Sequence, residues 1–332
     1  MDIALTGITP TGAPHLGNYL GMLRPALALA RDYEALYFVS DYHAVIRVRD
    51  GATIDRHVRD VAATWLAFSL DPERCALYRQ SDVPEVCELA WLLGCVTPKG
   101  LLNRAHAYKA AVDANDAAGR EPDDGVSAGL YGYPLLMAAD ILGPGAAVVP
   151  VGLDQRQHVE IARDVAEAFN RGHGPILRVP EPLIDSAVQT IPGLDGRKMS
   201  KSYGNVIPLL ADPAEIRRTV MRIVTDSRRP DEPKDPETDP IFALYRHVAP
   251  PADVAAMCDE YRRGGLGYGE AKKRLADALE DLVREPRRRH RELLADPAEL
   301  DRVLGSGAAR ARERVTATVE RVREASLGRR AP

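Results

Sequence analysis

The first part of the chain, up to about residue 205, alternates short apolar runs with longer stretches of helical periodicity. A strand that is buried on both faces of a sheet is nearly all apolar, which predicts strands in "DIALTG", "ALYFVSD", "CALYRQSD" and "AAVVPVG" (2–7, 35–41, 75–82 and 146–152). Helices are predicted over roughly residues 16–32, 53–70, 84–95, 134–142 and 154–170, and Pro25 is expected to kink or break the first. The pattern predicts an α/β fold in which helices cover a parallel sheet.

The second part, beyond residue 208, has no strand-like runs, and helical periodicity dominates. The stretch "DSRRPDEPKDPETDP" (226–240) contains four prolines, which lack the amide hydrogen that helices and strands use, so we predict a loop there. We predict two domains: a nucleotide-binding domain over residues 1–207, with an insertion at about 97–133, and a helical domain over residues 208–332. Within the insertion, the acidic stretch "VDANDAAGREPDDG" (112–125) is expected to be a surface loop, a mobile insertion or a plain linker.

Composition limits the class of protein. With 332 residues, 45% hydrophobic and 28% charged, the chain is long enough for a large core and too apolar for a disordered protein. The cysteines are Cys75, Cys87, Cys95 and Cys258, and since none forms a CxxC pair we expect neither a zinc site nor a disulfide framework. There is no basic leader and no apolar run of about 20 residues. We therefore expect a cytoplasmic protein that does not bind membranes.

The formal net charge of −4 hides two arginine-rich helical segments near the C-terminus, "REPRRRHREL" and "RARERVTATVERVREASLGRR" (284–293 and 310–330). Charges at helical spacing are most often a solvated face with salt bridges. The alternative is a contact surface for a polyanion such as a nucleic acid. The sequence leaves both interpretations open.

Two short motifs carry candidate phosphate chemistry. "TGITPTGAPHLGNYLG" (6–21) follows the first strand and places four glycines, His15 and Asn18 in a turn before a helix, where backbone amides can bind phosphate. Judged on glycine count alone, an ordinary tight turn is the alternative. "RKMSKSYGN" (197–205) places Lys198 and Lys201 on a glycine-flanked loop, from which both lysines can reach one polyphosphate. Its alternative is a surface loop without function.

Taken together, "PHLGN" and "KMSKS" resemble the paired HIGH and KMSKS motifs of class I aminoacyl-tRNA synthetases, with Leu16 in second place and Asn18 in place of the final histidine. "YPLLMAADIL" (133–142) and "VPVGLDQRQHVEIARDVAEAFN" (149–170) resemble the tryptophanyl-tRNA synthetase versions of two further segments, and "GGLGYGEAKKRLADAL" and "DPAELDRVLGSGAARA" extend the resemblance to the C-terminal part. The resemblance implies a Rossmann-like parallel sheet with a HIGH/KMSKS-type active site, followed by an α-helical anticodon-binding domain.

The resemblance also implies the reaction: L-tryptophan and ATP, with Mg²⁺ bound through phosphate oxygens, give tryptophanyl-adenylate, and the tryptophanyl group passes to tRNA(Trp). No metal site on the protein is predicted. The implied catalytic residues are His15, Asn18, Lys198 and Lys201. The implied ATP-binding residues are Thr9, Pro10, Thr11, Gly17, Asn18, Gly152, Leu153, Asp154, Ile191, Lys198, Met199, Ser200, Lys201 and Ser202.

The amino acid pocket is expected on the helix of "YPLLMAADIL". If this helix begins near Pro134, Tyr133, Met137 and Asp140 share one face at positions i, i+4 and i+7. The resemblance makes Asp140 the acceptor for the indole N–H group, whereas an isolated aspartate is more often solvated at a helix end. The implied tryptophan-binding residues are Leu5, His43, Tyr133, Met137, Asp140 and Gln155, while His158 is expected to make a structural hydrogen bond.

Three features depart from the family pattern: Thr9 in the first loop, Ala111 after Lys109, and the acidic stretch 112–125. These departures leave open how effectively the protein uses ATP and how mobile residues 112–125 are. The alternatives in function are a tyrosyl-tRNA synthetase, or a synthetase-like paralogue with a binding or regulatory role. The resemblance further implies a homodimer.

Overall fold

The protein is described by a computed structural model over residues 1–152, 156–183 and 191–328. Its centre is a parallel sheet of five strands: β1 (Ile3–Ile8), β2 (Glu34–Val39), β3 (Ala76–Arg79), β4 (Val148–Pro150) and β5 (Glu181–Leu183). The strand order is β3-β2-β1-β4-β5, and Ala4 pairs with Ala35 on one side and Val148 on the other. The order reverses between β1 and β4, which is where open parallel sheets bind ligands. The predicted parallel sheet is confirmed, although the short β5 was not predicted.

Helices cover both faces of the sheet, because successive side chains of a strand point to opposite sides. On β2, Ala35, Tyr37 and Val39 enter one core, while Leu36 and Phe38 enter the other. The helices of the first part are α1 (Leu16–Asn18), α2 (Arg24–Leu29), α3 (Asp41–Ala44), α4 (Gly51–Ala67), α5 (Glu85–Gly94), α6 (Lys99–Leu102), α7 (His106–Ala117), α8 (Ala128–Leu142) and α9 (Arg156–His173). No helix in the described part of the chain is long and apolar enough to span a membrane.

Pro25 neither breaks nor ends the first predicted helix. A π-helical segment, Tyr19–Leu23, joins α1 to α2, and the Arg24 amide bonds to the Tyr19 carbonyl. Proline has no amide hydrogen to donate, and Pro25 sits in the first turn of α2, where none is needed. The chain therefore stays helical past Pro25 after a local change of winding.

Two predictions about residues 106–142 were wrong in detail. α8 begins at Ala128 rather than near Pro134, because Ser127 caps its N-terminus by accepting a hydrogen bond from the Leu130 amide, which leaves Pro134 inside the helix. α7 extends to Ala117, so the first half of the acidic stretch 112–125 is helical. The buried Asn115 side chain stabilises the second half by donating to the carbonyls of Pro122 and Asp124.

Beyond residue 208 the described elements are helices, as predicted: α10 (Pro213–Met221), α11 (Pro240–Val248), α12 (Pro251–Arg263), α13 (Tyr268–Ala295) and α14 (Pro297–Leu327). The proline-rich stretch lies in the loop before α11, and Pro240 begins that helix. One hydrophobic core joins α4 residues such as Trp65 to α11 and α13 residues such as Leu244 and Leu275. A boundary at residues 207 and 208 stays a prediction.

The long α14 returns to the first part of the chain and covers the edge strand β3. Gly307 lies directly against the backbone of Leu77, where a Cβ would come within 2.1 Å of the Leu77 carbonyl oxygen. Val315, Val319 and Val322 of the same helix are buried in the core that lies beneath α5 and α8. The last helix thus protects a sheet edge that would otherwise expose unpaired backbone groups.

Candidate active site

The carboxyl ends of β1, β2 and β4 open into two adjoining cavities of about 390 and 510 Å³. Thr6 and Gly7 of β1, Met137 of α8 and Val149 of β4 line both of them. Volumes of this order accommodate a small ligand each. The position agrees with the reversal of strand order between β1 and β4.

The first cavity contains most residues predicted for the amino acid. Tyr133, Met137 and Asp140 line it together, so the single helical face predicted for them is confirmed. Other lining residues are Leu5, Thr9, Thr11, Phe38, Ser40, His43, Ile46, Arg47, Ile141 and His158. Its wall is mainly apolar, with a few polar groups that can fix the orientation of a ligand.

Asp140 is a buried carboxylate, with 3% of its surface exposed. Its two oxygens accept hydrogen bonds from the Gln80 Nε2 group, at 2.9 and 2.8 Å, and Oδ2 lies 3.1 Å from His43 Nε2. Burial raises the pKa of the Asp140 carboxyl, while His43 and Gln80 act in the opposite direction. The alternative of a solvated aspartate at a helix end is therefore excluded.

Tyr133 and His158 form a second polar pair beside the first cavity. The Tyr133 hydroxyl lies 2.6 Å from His158 Nε2, and His158 is buried. Burial raises the pKa of the Tyr133 phenol, and Arg47 at the cavity wall opposes that shift. The structural hydrogen bond expected for His158 is present, and it fixes the tyrosine ring at the cavity.

The second cavity lies between the first glycine-rich turn and the 197–205 segment. It is lined by His15, Gly17, Asn18, Gly21 and Met22 from the turn and α1, by Pro150, Val151 and Gly152 after β4, and by Ile191, Lys198, Met199, Ser200 and Tyr203. Residues of both motifs, which the sequence connected only by resemblance, thus line one cavity. Its size and position suit a nucleotide.

His15 lies at the start of α1, where its backbone amide donates to Asn18 Oδ1 at 3.0 Å. Its side chain is buried, and the Nδ1 atom has no hydrogen-bond partner among the described residues. Burial lowers the pKa of His15 to about 4, and the nearby Lys201 contributes in the same direction. The imidazole is therefore neutral at pH 7. A Cβ at Gly17 would come within 3.1 Å of this ring, so a larger residue there would have to displace the imidazole slightly.

The 197–205 segment folds back on residues 191–193. The Met199 amide donates to the Ile191 carbonyl at 2.8 Å, and the Gly193 amide donates to the Arg197 carbonyl at 2.6 Å. Asn205, which is buried, closes the loop by accepting from the Ser200 amide at 2.8 Å and donating to the Lys198 carbonyl at 3.1 Å. The loop is therefore an ordered hairpin with a defined base.

The two lysines of this segment take different positions. Lys198 lines the second cavity. Lys201 Nζ instead donates to the Gly12 carbonyl at 2.9 Å, across the first turn. Partial burial lowers the pKa of Lys201, and Asp60 acts in the opposite direction. In this state only Lys198 of the pair faces the cavity, so a shared phosphate would require the Lys201 side chain to move.

The remaining predicted residues are distributed as follows. Thr9 and Thr11 line the first cavity rather than the second, Pro10 between them is buried, and Ser202 is exposed with its amide 3.3 Å from Ser200 Oγ. Leu153, Asp154 and Gln155 lie outside the described residues. Thr9 Oγ1 lies 3.0 Å from Ser40 Oγ, so the departure at this position links the first loop to the end of β2.

Sequence reasoning missed several residues of the site, among them Gln80, Arg47 and Asn205. Gln80 follows β3 within the predicted strand "CALYRQSD", and polar residues at the carboxyl end of a parallel strand are candidates for the site. That signal was present and was not used. Arg47 and Asn205 had no local signal, because their roles depend on how loops meet.

Comparisons with known proteins agree with this geometry. Residues 2–284 match the family model described as tRNA synthetases class I (W and Y). The tryptophan–tRNA ligase of Pseudomonas aeruginosa is 53% identical over 97% of this chain and 72% of the length of that relative. The tryptophan–tRNA ligase of Neisseria meningitidis is 49% identical over 97% of this chain and 96% of the length of that relative. The Campylobacter jejuni tryptophanyl-tRNA synthetase, solved with ADP and tryptophan, superposes with a TM-score of 0.86 at 37% identity over 97% of this chain and 98% of that one. The chain therefore belongs to the tryptophan–tRNA ligases within the class I tRNA synthetase family.

Proposed function

We infer that the protein activates L-tryptophan with ATP and transfers the tryptophanyl group to tRNA(Trp). The observation that carries this inference is the pair of adjoining cavities, one with a buried carboxylate in its wall and the other between the two phosphate-binding motifs. The relative from Campylobacter jejuni was solved with ADP and tryptophan, which are ligands of the sizes and polarities that these cavities suit.

The activation step needs no protein nucleophile. A carboxylate oxygen of tryptophan attacks the α-phosphorus of ATP, the bond from that phosphorus to the bridging oxygen breaks, and pyrophosphate leaves with the electron pair. In the second step a ribose hydroxyl of tRNA attacks the carbonyl carbon, and AMP leaves. The protein contributes alignment of the two substrates and positive charge where negative charge develops.

We propose that the second cavity binds ATP. Lys198 already faces it, and Lys201 can join when it leaves the Gly12 carbonyl. The neutral His15 ring and the backbone around Gly17 offer hydrogen-bonding groups without added charge. Among the described residues, no three side chains of His, Cys, Asp or Glu come together to hold a metal ion. Mg²⁺ would then be bound through the phosphate oxygens of ATP.

We propose that Asp140 accepts the indole N–H group in the first cavity. The carboxylate is buried, and an ionised carboxylate accepts about four hydrogen bonds, of which Gln80 and His43 account for three contacts. Phenylalanine would leave the remaining acceptor site unpaired, at a cost of about 1–3 kcal/mol. The relatives that are 53% and 49% identical are tryptophan–tRNA ligases, which disfavours the tyrosyl alternative.

For tRNA, we propose that the helices after residue 208 contact the anticodon side, as a separate domain of the catalytic enzyme.

We also propose a homodimer in the cytoplasm. Trp91 on α5 supports an interface, because 75% of its surface is exposed. The mass in solution of the wild type and of a Trp91→Arg variant, measured by sedimentation or light scattering, tests this. If both proteins have the mass of a monomer, the proposed dimer is contradicted.

Amino-acid-dependent ATP–pyrophosphate exchange over all twenty amino acids tests the function. We expect exchange with tryptophan alone, and loss of about 10- to 100-fold in kcat/KM for tryptophan in Asp140→Asn. Aminoacylation of tRNA(Trp) then tests the second step. Absent exchange together with intact binding of tryptophan would favour the alternative of a regulatory paralogue.

A further inference from the structure

Gln80 is the closest polar partner of the proposed indole acceptor. Its side chain is buried, with 1% of its surface exposed, and its Nε2 group donates to both oxygens of Asp140 at 2.9 and 2.8 Å. The two residues are 60 positions apart and belong to different elements, one after β3 and the other on α8. This contact exists only in the folded chain.

The backbone that carries Gln80 is itself held in place. Gln80 begins a 3₁₀ turn, Gln80–Asp82, at the carboxyl end of β3. The next residue, Ser81, donates from its amide to Asp41 Oδ1 at 3.0 Å and from its hydroxyl to Asp41 Oδ2. Asp41 is buried and follows β2, so the ends of two neighbouring strands are joined beside Gln80. A side chain on such a support has little freedom to turn away.

The amide of Gln80 has one favourable orientation. A flipped amide would place Oε1 against the carboxylate of Asp140, where two acceptors repel each other. In the observed orientation Oε1 has no hydrogen-bond partner among the described residues, which is a cost that the contacts to Asp140 offset. The arrangement thus favours an ionised Asp140 whose two oxygens are fixed in direction.

We propose that Gln80 is a positioning residue, which keeps Asp140 ionised and aimed at the indole N–H group and thereby determines selection for tryptophan. The proposal rests on the function inferred above. Gln80 acts through Asp140 and does not have to touch the substrate. Its removal is expected to weaken the recognition of the indole nitrogen while the activation chemistry at ATP is preserved.

Other titratable groups also face Asp140 and influence its protonation. His43 on α3 donates or shares a proton at 3.1 Å, and the Asp41 carboxylate raises the pKa of Asp140. Asp140 in turn raises the pKa of Tyr78 on β3 and of Cys87 on α5, although burial is the larger cause for both. Of the groups on these packed elements, Gln80 supplies two of the three hydrogen-bond contacts described for the carboxylate.

The test compares tryptophan with 1-methyltryptophan, which lacks the indole N–H group, in pyrophosphate exchange. In Gln80→Leu we expect kcat/KM for tryptophan at pH 7 to fall by about 10- to 100-fold, mainly through KM. The ratio of kcat/KM between the two amino acids should fall by about tenfold or more, because a carboxyl that is protonated no longer distinguishes them as strongly.

Dependence on pH separates positioning from a structural defect. Without the amide donor the Asp140 carboxyl should hold its proton to a higher pH, so the selection lost at pH 6.5 should return as the pH rises toward 9 in Gln80→Leu. In the isosteric variant Gln80→Glu, two adjacent carboxyl groups share one proton at low pH and repel when both ionise. Its selection should therefore decline as the pH rises, opposite to Gln80→Leu. Gln80→Glu also provides the test if Gln80→Leu does not fold.

Asn170→Leu is the matched control. Asn170 on α9 donates to the Leu177 carbonyl and accepts from two amides, and it does not line either cavity. We expect it to lower thermal stability with an unchanged selection ratio at every pH. An unchanged ratio of kcat/KM between tryptophan and 1-methyltryptophan in both Gln80 variants would overturn the proposal. A loss of selection in Gln80→Leu that rising pH does not reverse would overturn it as well. Wild-type protein without tryptophan-dependent exchange would instead overturn the inferred function.

Discussion

At the scale of single residues, the site depends on buried groups whose protonation is set by burial and by their neighbours. His15 is neutral because it is buried and close to Lys201, whereas Asp140 is held by donors on two sides. In the proposed function, the first arrangement would offer hydrogen bonds to ATP without an additional charge. The second keeps a hydrogen-bond acceptor inside an apolar cavity, where an unpaired polar group is costly.

Replacement of Lys201 should separate ATP chemistry from tryptophan binding. We expect Lys201→Ala to lower pyrophosphate exchange by about 10²- to 10³-fold, because the variant lacks a cation that can move to the phosphates where negative charge develops. Tryptophan affinity, measured by calorimetry without ATP, should change less than about threefold, since Lys201 does not line the first cavity. Lys273→Ala on α13 is the control, and unchanged exchange in Lys201→Ala would contradict the assignment.

The low pKa of His15 predicts a dependence of stability on pH. An unfolded histidine binds a proton near pH 6.5, while His15 in the folded protein does so only near pH 4. Because the unfolded state binds more protons between these values, stability is lost as the pH falls from 7 toward 4. Relative to a His15→Gln variant, the wild type should lose about 2 kcal/mol between pH 7 and pH 5 in urea unfolding. Parallel pH profiles of the two proteins would rule this out.

At the scale of elements, the packing of α14 on β3 depends on one position without a side chain. Helices approach a strand closely only where no Cβ intervenes, and Gly307 is such a position. The helices that carry residues of the two cavities also depend on local features of the backbone. The π segment Tyr19–Leu23 permits a helix to continue to Pro25, and Ser127 sets the start of α8 before the residues that line the first cavity.

The prediction at this scale concerns two glycines on one helix. Gly307→Ala places a methyl group 2.1 Å from a backbone oxygen, so α14 must shift away from the strand, and we expect a loss of about 2–4 kcal/mol. Gly305→Ala has no atom within 4 Å of the new Cβ and should gain about 0.5–1 kcal/mol from helix propensity. Thermal unfolding of both variants measures the difference, and equal effects would mean that the close approach is not needed.

At the scale of the whole molecule, the C-terminal arginines fasten α14 to the catalytic part. Arg312 pairs with Glu85 at 2.6 Å, and Arg314 and Arg323 pair with Glu34 and Glu88 at 3.0 and 2.7 Å. Each exposed ion pair of this kind contributes little to the stability of the fold, and the buried valines of α14 contribute more. These contacts support the interpretation as a salt-bridged face, while contact with tRNA by other arginines stays a prediction.

A truncated chain tests how independent the catalytic part is. Deletion of residues 297–332 should expose the β3 edge and the apolar surface beneath α14, so we expect the fragment to aggregate or to bind a hydrophobic dye. Size-exclusion chromatography and pyrophosphate exchange of the fragment measure this outcome. A monodisperse fragment with full exchange activity would show that the rest of the chain folds and activates tryptophan without α14.

Several features could be predicted from the sequence, because they depend on neighbours along the chain. Four of the five strands, the helical character beyond residue 208 and the shared face of Tyr133, Met137 and Asp140 follow from periodicity, and the structure confirms them. The family was predicted from the "PHLGN" and "KMSKS" motifs together with the longer segments, and the comparisons confirm it. The short β5 and the start of α8 were missed, because pairing partners and a cap decided them.

The sequence by itself determined the order of the elements, the residue types available for phosphate and indole recognition, and the family. Tertiary structure alone decided that Gln80 and Asp140 meet, that Lys198 lines the second cavity while Lys201 contacts the Gly12 carbonyl, and that the final helix lies on the first part of the chain. The physical reason is that propensity and periodicity act over a few residues, whereas these contacts join residues far apart and exist only after the sheet has brought its strand ends together.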